Sequence, residues 1–241
     1  MKHIGKIAIV AAMIGAVCVA LMLFGARLGL WQPITGFGLY RSALTPLGAV
    51  ILGLGLLALA LHLIRKETAG AVMGGVAALV GTACLVPLAA ATLNPPMRAA
   101  PIHDISTDTV NPPRFEVLDA SRAGASNTLD HGGPELAAAQ AAAYPDIAPL
   151  TTALAPDAAY QRALTLAQDM GWEIVAADSS RHRIEATART PVFYFADDVV
   201  VVVTPQDTGS RIDMRGVSRV GRSDQGVNAA RIRDFQHRFG Q

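Results

Sequence analysis

Residues 183–217 read RIEATARTPVFYFADDVVVVVTPQDTGSRIDMRGV, and this stretch decides the fold. Arg183–Thr190 alternates Ile184, Ala186 and Ala188 with charged or polar partners, the period of a half-buried strand. Asp198–Thr204 is a continuous valine run suited to a central strand. After the turn residues Asp207, Thr208 and Gly209, Arg211–Val217 alternates Ile212, Met214 and Gly216 with Arg211, Asp213 and Arg215. Consecutive strands with short connections predict an antiparallel meander. Trp172–Ala177 adds a strand before it.

Helices flank the meander. From Pro156 and Asp157, apolar residues recur at helical spacing (Ala159, Ala163, Leu166, Ala167, Met170) until Gly171 stops the run. Ser223 and Asp224 can cap a last helix carrying Val227, Ile232, Phe235 and Phe239. Further upstream, a proline-rich extended lead-in over residues 95–127 forbids a long helix and leads into a short strand, Arg114–Leu118. Gly132, Gly133 and Pro134 then break the chain before alanine-rich Glu135–Ala143, a short helix or a surface loop. The expectation for residues 98–241 is an α+β domain, an antiparallel sheet of about four to five strands packed against two helices, helix-grip-like in outline.

Before this domain the sequence changes character. The runs Ile7–Ala26, Ser42–Ile64 and Thr68–Met97 carry no charge, and each has the roughly 20 apolar residues that span a bilayer as a helix. Residues 1–97 therefore read as an N-terminal three-helix transmembrane bundle, with helices at about 7–26, 43–64 and 69–93. The first run is long for a cleavable signal and lacks a small-x-small cut site. Ala11 with Gly15, Ala49 with Gly53 and Gly70 with Gly74 allow close helix approach, either within one chain or between two. No Asp, Glu, Lys or Arg interrupts the spans, which disfavours an ion path. Lys2, Lys6, Arg65 and Lys66 on one side outnumber Arg27, Arg41 and Arg98 on the other. That bias places the N-terminus in the cytoplasm and, after three crossings, the C-terminal domain in the periplasm of a bacterial inner-membrane protein.

Charge excludes one class of partner. Net charge is +1, and from Arg98 onward 14 arginines face 18 acidic residues, so the domain is not a nucleic-acid binder working by phosphate neutralisation. Cys18 and Cys84 both precede the domain and supply neither a disulfide scaffold nor a thiol nucleophile there.

Several motifs are specific: Pro101-Ile-His-Asp-Ile-Ser-Thr-Asp-Thr, Asn111-Pro-Pro-Arg-Phe, Tyr144-Pro145, Asp197-Asp198-Val-Val, and Arg215-Gly-Val-Ser-Arg-Val-Gly-Arg-Ser-Asp-Gln-Gly-Val-Asn-Ala-Ala-Arg-Ile-Arg. Over about residues 98–239 the chain resembles the bacterial and plastid family known as domain of unknown function 1499 (DUF1499). That pattern usually has Ser where this chain has Gly216, and often Arg where it has Val202. The resemblance implies a bacterial envelope protein and brings no activity with it.

The candidate cluster is Arg215, Ser218, Arg219, Arg222, Asp224, Asn228 and Arg231, where the last strand turns into the last helix. Guanidinium groups beside a helix N-terminus suit an anion such as phosphate or carboxylate. The alternative is structural, with Arg219 and Arg222 pairing to Asp197, Asp198 and Asp224 to lock strand to helix. Adjacent Asp197 and Asp198 point to opposite faces of a strand and cannot chelate a metal together. Asp104, Asp108 and His103 lack a recognised metal spacing, so neither metal nor cofactor is expected. Phe193–Phe195 read as core, or as a loop that touches lipid. Function resolves into a binding module for an anionic envelope ligand (lipid, phosphate or carboxylate) or a membrane-protein partner. A second reading is an enzyme on envelope lipid or glycan, with Asp224 or Asp198 as general base. A third is a structural subunit of a membrane complex.

Overall fold

The structure is a computed structural model describing residues 3–94 and 99–241. Lys2 and Arg98 of the orientation count, and Pro95 and Pro96 of the lead-in, lie outside the described residues. The chain forms two compact units, residues 1–97 with 191–194, and residues 98–190 with 195–241.

The first unit holds α1 (Ile4–Phe24), α2 (Pro33–Ile64) and α3 (Thr68–Leu93). All three are long and apolar enough to cross a membrane, and large side chains such as Ile14, Val17, Leu56 and Leu79 are exposed on them. The chain is a membrane-associated protein on this evidence. Helix α2 begins ten residues before the expected span, because Pro33 fits its first turn and Arg41, which ends the uncharged run, does not end a helix. The helices meet through glycine. A Cβ on Gly55 would lie 2.3 Å from the Ala78 backbone nitrogen, one on Gly74 2.4 Å from that of Leu59, and one on Gly81 2.3 Å from that of Leu52. Gly15 packs against Ile51, whereas Gly53 has nothing within 4 Å. His62, 4% exposed, donates from Nδ1 to the Glu67 carboxylate at 2.6 Å, and Gly5 and Gly70 make room for its ring.

The second unit runs β1 (Asp104–Ser106), α4 (Gly133–Ala143), β2 (Leu150–Thr152), α5 (Pro156–Asp169), β3 (Glu173–Asp178), β4 (Arg183–Arg189), β5 (Ala196–Gln206), β6 (Gly209–Ser218) and α6 (Val227–Phe239). The α+β architecture expected from sequence is present, with the β3–β6 meander at its centre. The sheet has six strands in the order β1-β6-β5-β4-β3, and β2 also pairs with β6. Two three-residue strands thus share the free edge of β6, which a run-length reading passes over. Arg114–Leu118 is not a strand, because the backbone N–H groups of Glu116, Val117 and Leu118 all point at the Glu185 carboxylate. The alanine-rich segment is a helix, α4, whose buried Gln140 accepts from the Ser106 N–H and donates to its carbonyl at 2.9 and 2.6 Å. An amide side chain thereby extends the β1 edge as a strand partner would.

The core lies on one face of the sheet. Ile184, Ala186, Ala188, Val199, Val201, Val203, Ile212 and Met214 pack against Ala159, Tyr160, Ala163 and Ala167 of α5 and Ala229, Ile232, Phe235 and Phe239 of α6. Trp172 stacks on Phe235 with ring centroids 5.6 Å apart. Phe193, Tyr194 and Phe195 are only half-buried and do not belong to this core.

Candidate functional site

Strand parity sends the charged residues to the other face. Register pairs Ser106 with Arg215, Arg215 with Val200, and Val200 with Glu185, so these four share one side. Asp104, Asp198 and Thr187 lie on the same side one row over. The alternation suggested a solvent-facing surface, yet Glu185 and Asp198 are 0% exposed and Arg215 1%. The cover is an irregular strap, residues 107–131, between β1 and α4.

Charged groups hold the strap down. Arg215 grips Asp104 through Nε and Nη2 at 2.8 and 2.7 Å, donates to the Pro113 and Leu129 carbonyls at 3.2 and 2.8 Å, and lies under the Phe115 ring. Arg219 donates to Asp198 at 2.7 Å, to Thr187 Oγ1 at 2.9 Å and to the Ala123 carbonyl at 3.0 Å. Arg122, from the strap, reaches Asp198 at 2.7 Å. Asn127 donates to the carbonyls of Ser218 and Gly221. Glu185 accepts the three strap N–H groups at 2.6, 3.1 and 2.8 Å and the Arg183 Nε–H at 3.2 Å.

The Glu185 contact yields a test. In Glu185→Gln one oxygen must serve these four donors while the amide NH2 faces them, a loss of about 2 kcal/mol. Amide exchange at residues 116–118 is expected to accelerate ~30-fold, read by exchange mass spectrometry, with core strands β5 and β6 little changed. Uniform acceleration across the sheet would show that Glu185 supports the whole domain rather than the strap.

The seven residues of the sequence cluster do not form one site, because the sheet runs between them. Arg215 and Arg219 lie on the strap face. Ser218 and Asn228 meet on the helix face, where Asn228 Nδ2 donates to Ser218 Oγ at 3.0 Å. Arg231 donates to Asn228 Oδ1 and, at 2.6 Å, to Asp197. Gly216 permits this arrangement, since a Cβ there would lie 2.5 Å from Asn228 Oδ1. Asp224 accepts from the Gly226 and Asn228 N–H groups at 2.8 and 2.9 Å, fixing the start of α6. Burial pushes its carboxyl above the ordinary range, opposed by those two donors. Arg222 is exposed and makes no hydrogen bond or ion pair among the described residues. The strand-to-helix lock is therefore Arg231 on Asp197, while Arg219 and Asp198 act on the opposite face. Asp198 and Asp224, the carboxylates of the enzyme reading, are both occupied by donors. Asp104 and Asp108 are held by Arg215 and Arg211, and no group of three metal-ligand side chains occurs among the described residues.

The family of protein of unknown function DUF1499 matches residues 104–239, from the first residue of β1 to the last of α6. The chain belongs to the DUF1499 family. No curated protein matches it. The matched region takes in both edges of the DUF1499 fold's buried charge system, Asp104 at one end and Arg231 at the other.

One cavity opens on the strap face of this DUF1499 domain, about 1210 Å³, lined by strap residues together with Arg183 and Arg215. Two buried nitrogens among its lining side chains have no hydrogen-bond partner among the described residues, Arg183 Nη2 and His131 Nε2. His131 Nδ1 accepts the Gly133 N–H at 3.2 Å, so the neutral ring carries its proton on Nε2. Burial lowers the imidazole pKa and keeps it neutral; Asp104 opposes this and Arg215 adds to it. Both orphan nitrogens are thus N–H donors. Exposed Arg114, with no ion pair among the described residues, lines the same cavity. The acids there are Glu116, engaged by Arg181 at 2.5 Å and by Arg183 Nη1 at 3.6 Å, Asp119, bonded to Ser121, and exposed Asp130; Arg183 also donates through Nε to Glu185 at 3.2 Å, which leaves Nη2 as its orphan nitrogen. Sequence reasoning missed Glu185, Arg183 and His131. Only the alternation of β4 marked the first two, and it marked them as surface.

Proposed function

We propose that the domain is a binding module for an anionic ligand, received in the cavity between the strap and the charged sheet face. The observation that carries this reading is the pair of buried N–H donors, Arg183 Nη2 and His131 Nε2, among the side chains of one cavity. A buried donor without an acceptor costs about 1–3 kcal/mol, which a carboxylate or phosphate oxygen would recover. The chain carries this module as a multi-pass protein of the bacterial inner membrane, N-terminus in the cytoplasm and domain in the periplasm. Lys6, Arg65 and Lys66 at the α1 start and the α2–α3 turn support that orientation.

Sulfate, a dianion that does not titrate near neutral pH, tests the reading by calorimetry on the full-length protein in an uncharged detergent. Binding is expected in wild type, weakened at least tenfold by Arg183→Gln and by His131→Leu, and unchanged in Arg222→Gln. Loss in Arg222→Gln with retention in the other two would return the site to the start of α6. No binding by the folded wild type would remove the proposal.

A further inference from the structure

The same cavity says more about its ligand than its charge. A bare oxyanion occupies a small part of about 1210 Å³, a volume beyond the usual range for sites that enclose a drug-sized molecule. Polar groups such as Asn111, Asn127 and Thr128 share the remaining lining with apolar side chains of the strap, chiefly Val110, Pro112, Phe115 and Leu129. None of these four belongs to the sheet–helix core, and Val110 is 84% exposed. Phe115 spends one face on the Arg215 guanidinium, 5.5 Å away. The strap thus places apolar groups outside the core, Val110 exposed and the other three half-buried, beside donors that call for an anion. Resting on the anion reading above, we infer that the ligand is an amphiphilic anion, its acidic group held by Arg183 and His131 and its apolar body covered by Phe115, Leu129 and Val110. An acyl-chain lipid acid and a soluble aromatic acid share this chemistry.

A series with one headgroup separates the contributions: sulfate, octyl sulfate, naphthalene-2-sulfonate and uncharged 2-naphthol. Each is titrated into full-length protein in phosphatidylcholine nanodiscs, with protein-free discs subtracted. At least one of the two amphiphiles is expected to bind tenfold or more tightly than sulfate, and 2-naphthol no more tightly than sulfate. Preference for octyl sulfate points to a chain-bearing lipid acid, preference for naphthalene-2-sulfonate to an aromatic one. Phe115→Ala should remove most of the gain while leaving sulfate affinity within twofold. Because Phe115 also stacks on Arg215, Val110→Ser serves as a second variant at a position the fold does not need, expected to cost two- to threefold for the amphiphile alone. Sulfate binding with no gain for either amphiphile overturns this inference and leaves the anion reading standing. Binding of 2-naphthol as tight as naphthalene-2-sulfonate overturns it as well. If no member of the series binds in an Arg183-dependent way, both readings fall.

Discussion

Arg215→Ala is expected to destabilise the sheet domain by about 3–5 kcal/mol, because it leaves the carboxylate of Asp104, 4% exposed, buried without its counter-charge. Arg215 is the largest fully buried side chain among the described residues. Its removal deletes the bidentate pair to Asp104 and both hydrogen bonds to strap carbonyls, and opens a void beneath Phe115. Against a usual domain stability of about 5–15 kcal/mol, that loss removes about a fifth or more of the total. Pulse proteolysis of the full-length protein across a urea titration reads it as a shifted midpoint. The converse is equally specific. Desolvating two ions costs several kcal/mol each, so Arg215→Met combined with Asp104→Leu should recover most of the midpoint while loosening the strap, which loses its two carbonyl anchors. A single-variant cost under about 1 kcal/mol would mean that water reaches Asp104 and the pair is not buried in solution.

The legible parts of this molecule are those governed by period. Three uncharged runs give three helices, and alternation across β4 and β6 says which residues share a face. The valines of β5 announce a strand buried on both sides. Alternation cannot say what covers the polar face. Residues 107–131 have no periodicity, and their cohesion with the sheet comes from hydrogen bonds between backbone groups and distant side chains, Glu185 to residues 116–118 and Arg215 to Pro113 and Leu129. Such contacts leave no local signature, which is why Arg114–Leu118 reads as a strand and folds as a turn around a carboxylate. The motif from Arg215 to Arg231 stands out in one dimension as a single polar cluster. In three dimensions Arg215 and Arg219 part from Ser218, Asn228 and Arg231 to opposite faces of the sheet, and of these only Arg215 reaches the cavity. The cavity's distinguishing donors, Arg183 and His131, sit on β4 and at the end of the strap, and nothing in their spacing joins them.

The helical unit offers a matched pair of positions two residues apart. Gly55→Leu is expected to disrupt the α2–α3 seam, with a loss of about 3 kcal/mol, the upper end of ordinary overpacking. Even the first added carbon would stand 2.3 Å from the Ala78 nitrogen and 2.8 Å from its Cα. Backbone cannot step aside as a side chain tip can, so the helices must separate, and Gly74 and Gly81, pressed on the backbone of Leu59 and Leu52, would lose their contacts as well. Gly53→Leu adds the same side chain to the same helix, where nothing lies within 4 Å, and is expected to change stability by less than about 0.5 kcal/mol. Helix propensity is identical in the two substitutions, so it cancels from the comparison. Unfolding in mixed micelles of rising sodium dodecyl sulfate fraction supplies the midpoints. Equal shifts for the two variants would show that close approach at Gly55 does not hold α2 to α3; a large shift at Gly53 alone would make its open face a contact between copies of the chain.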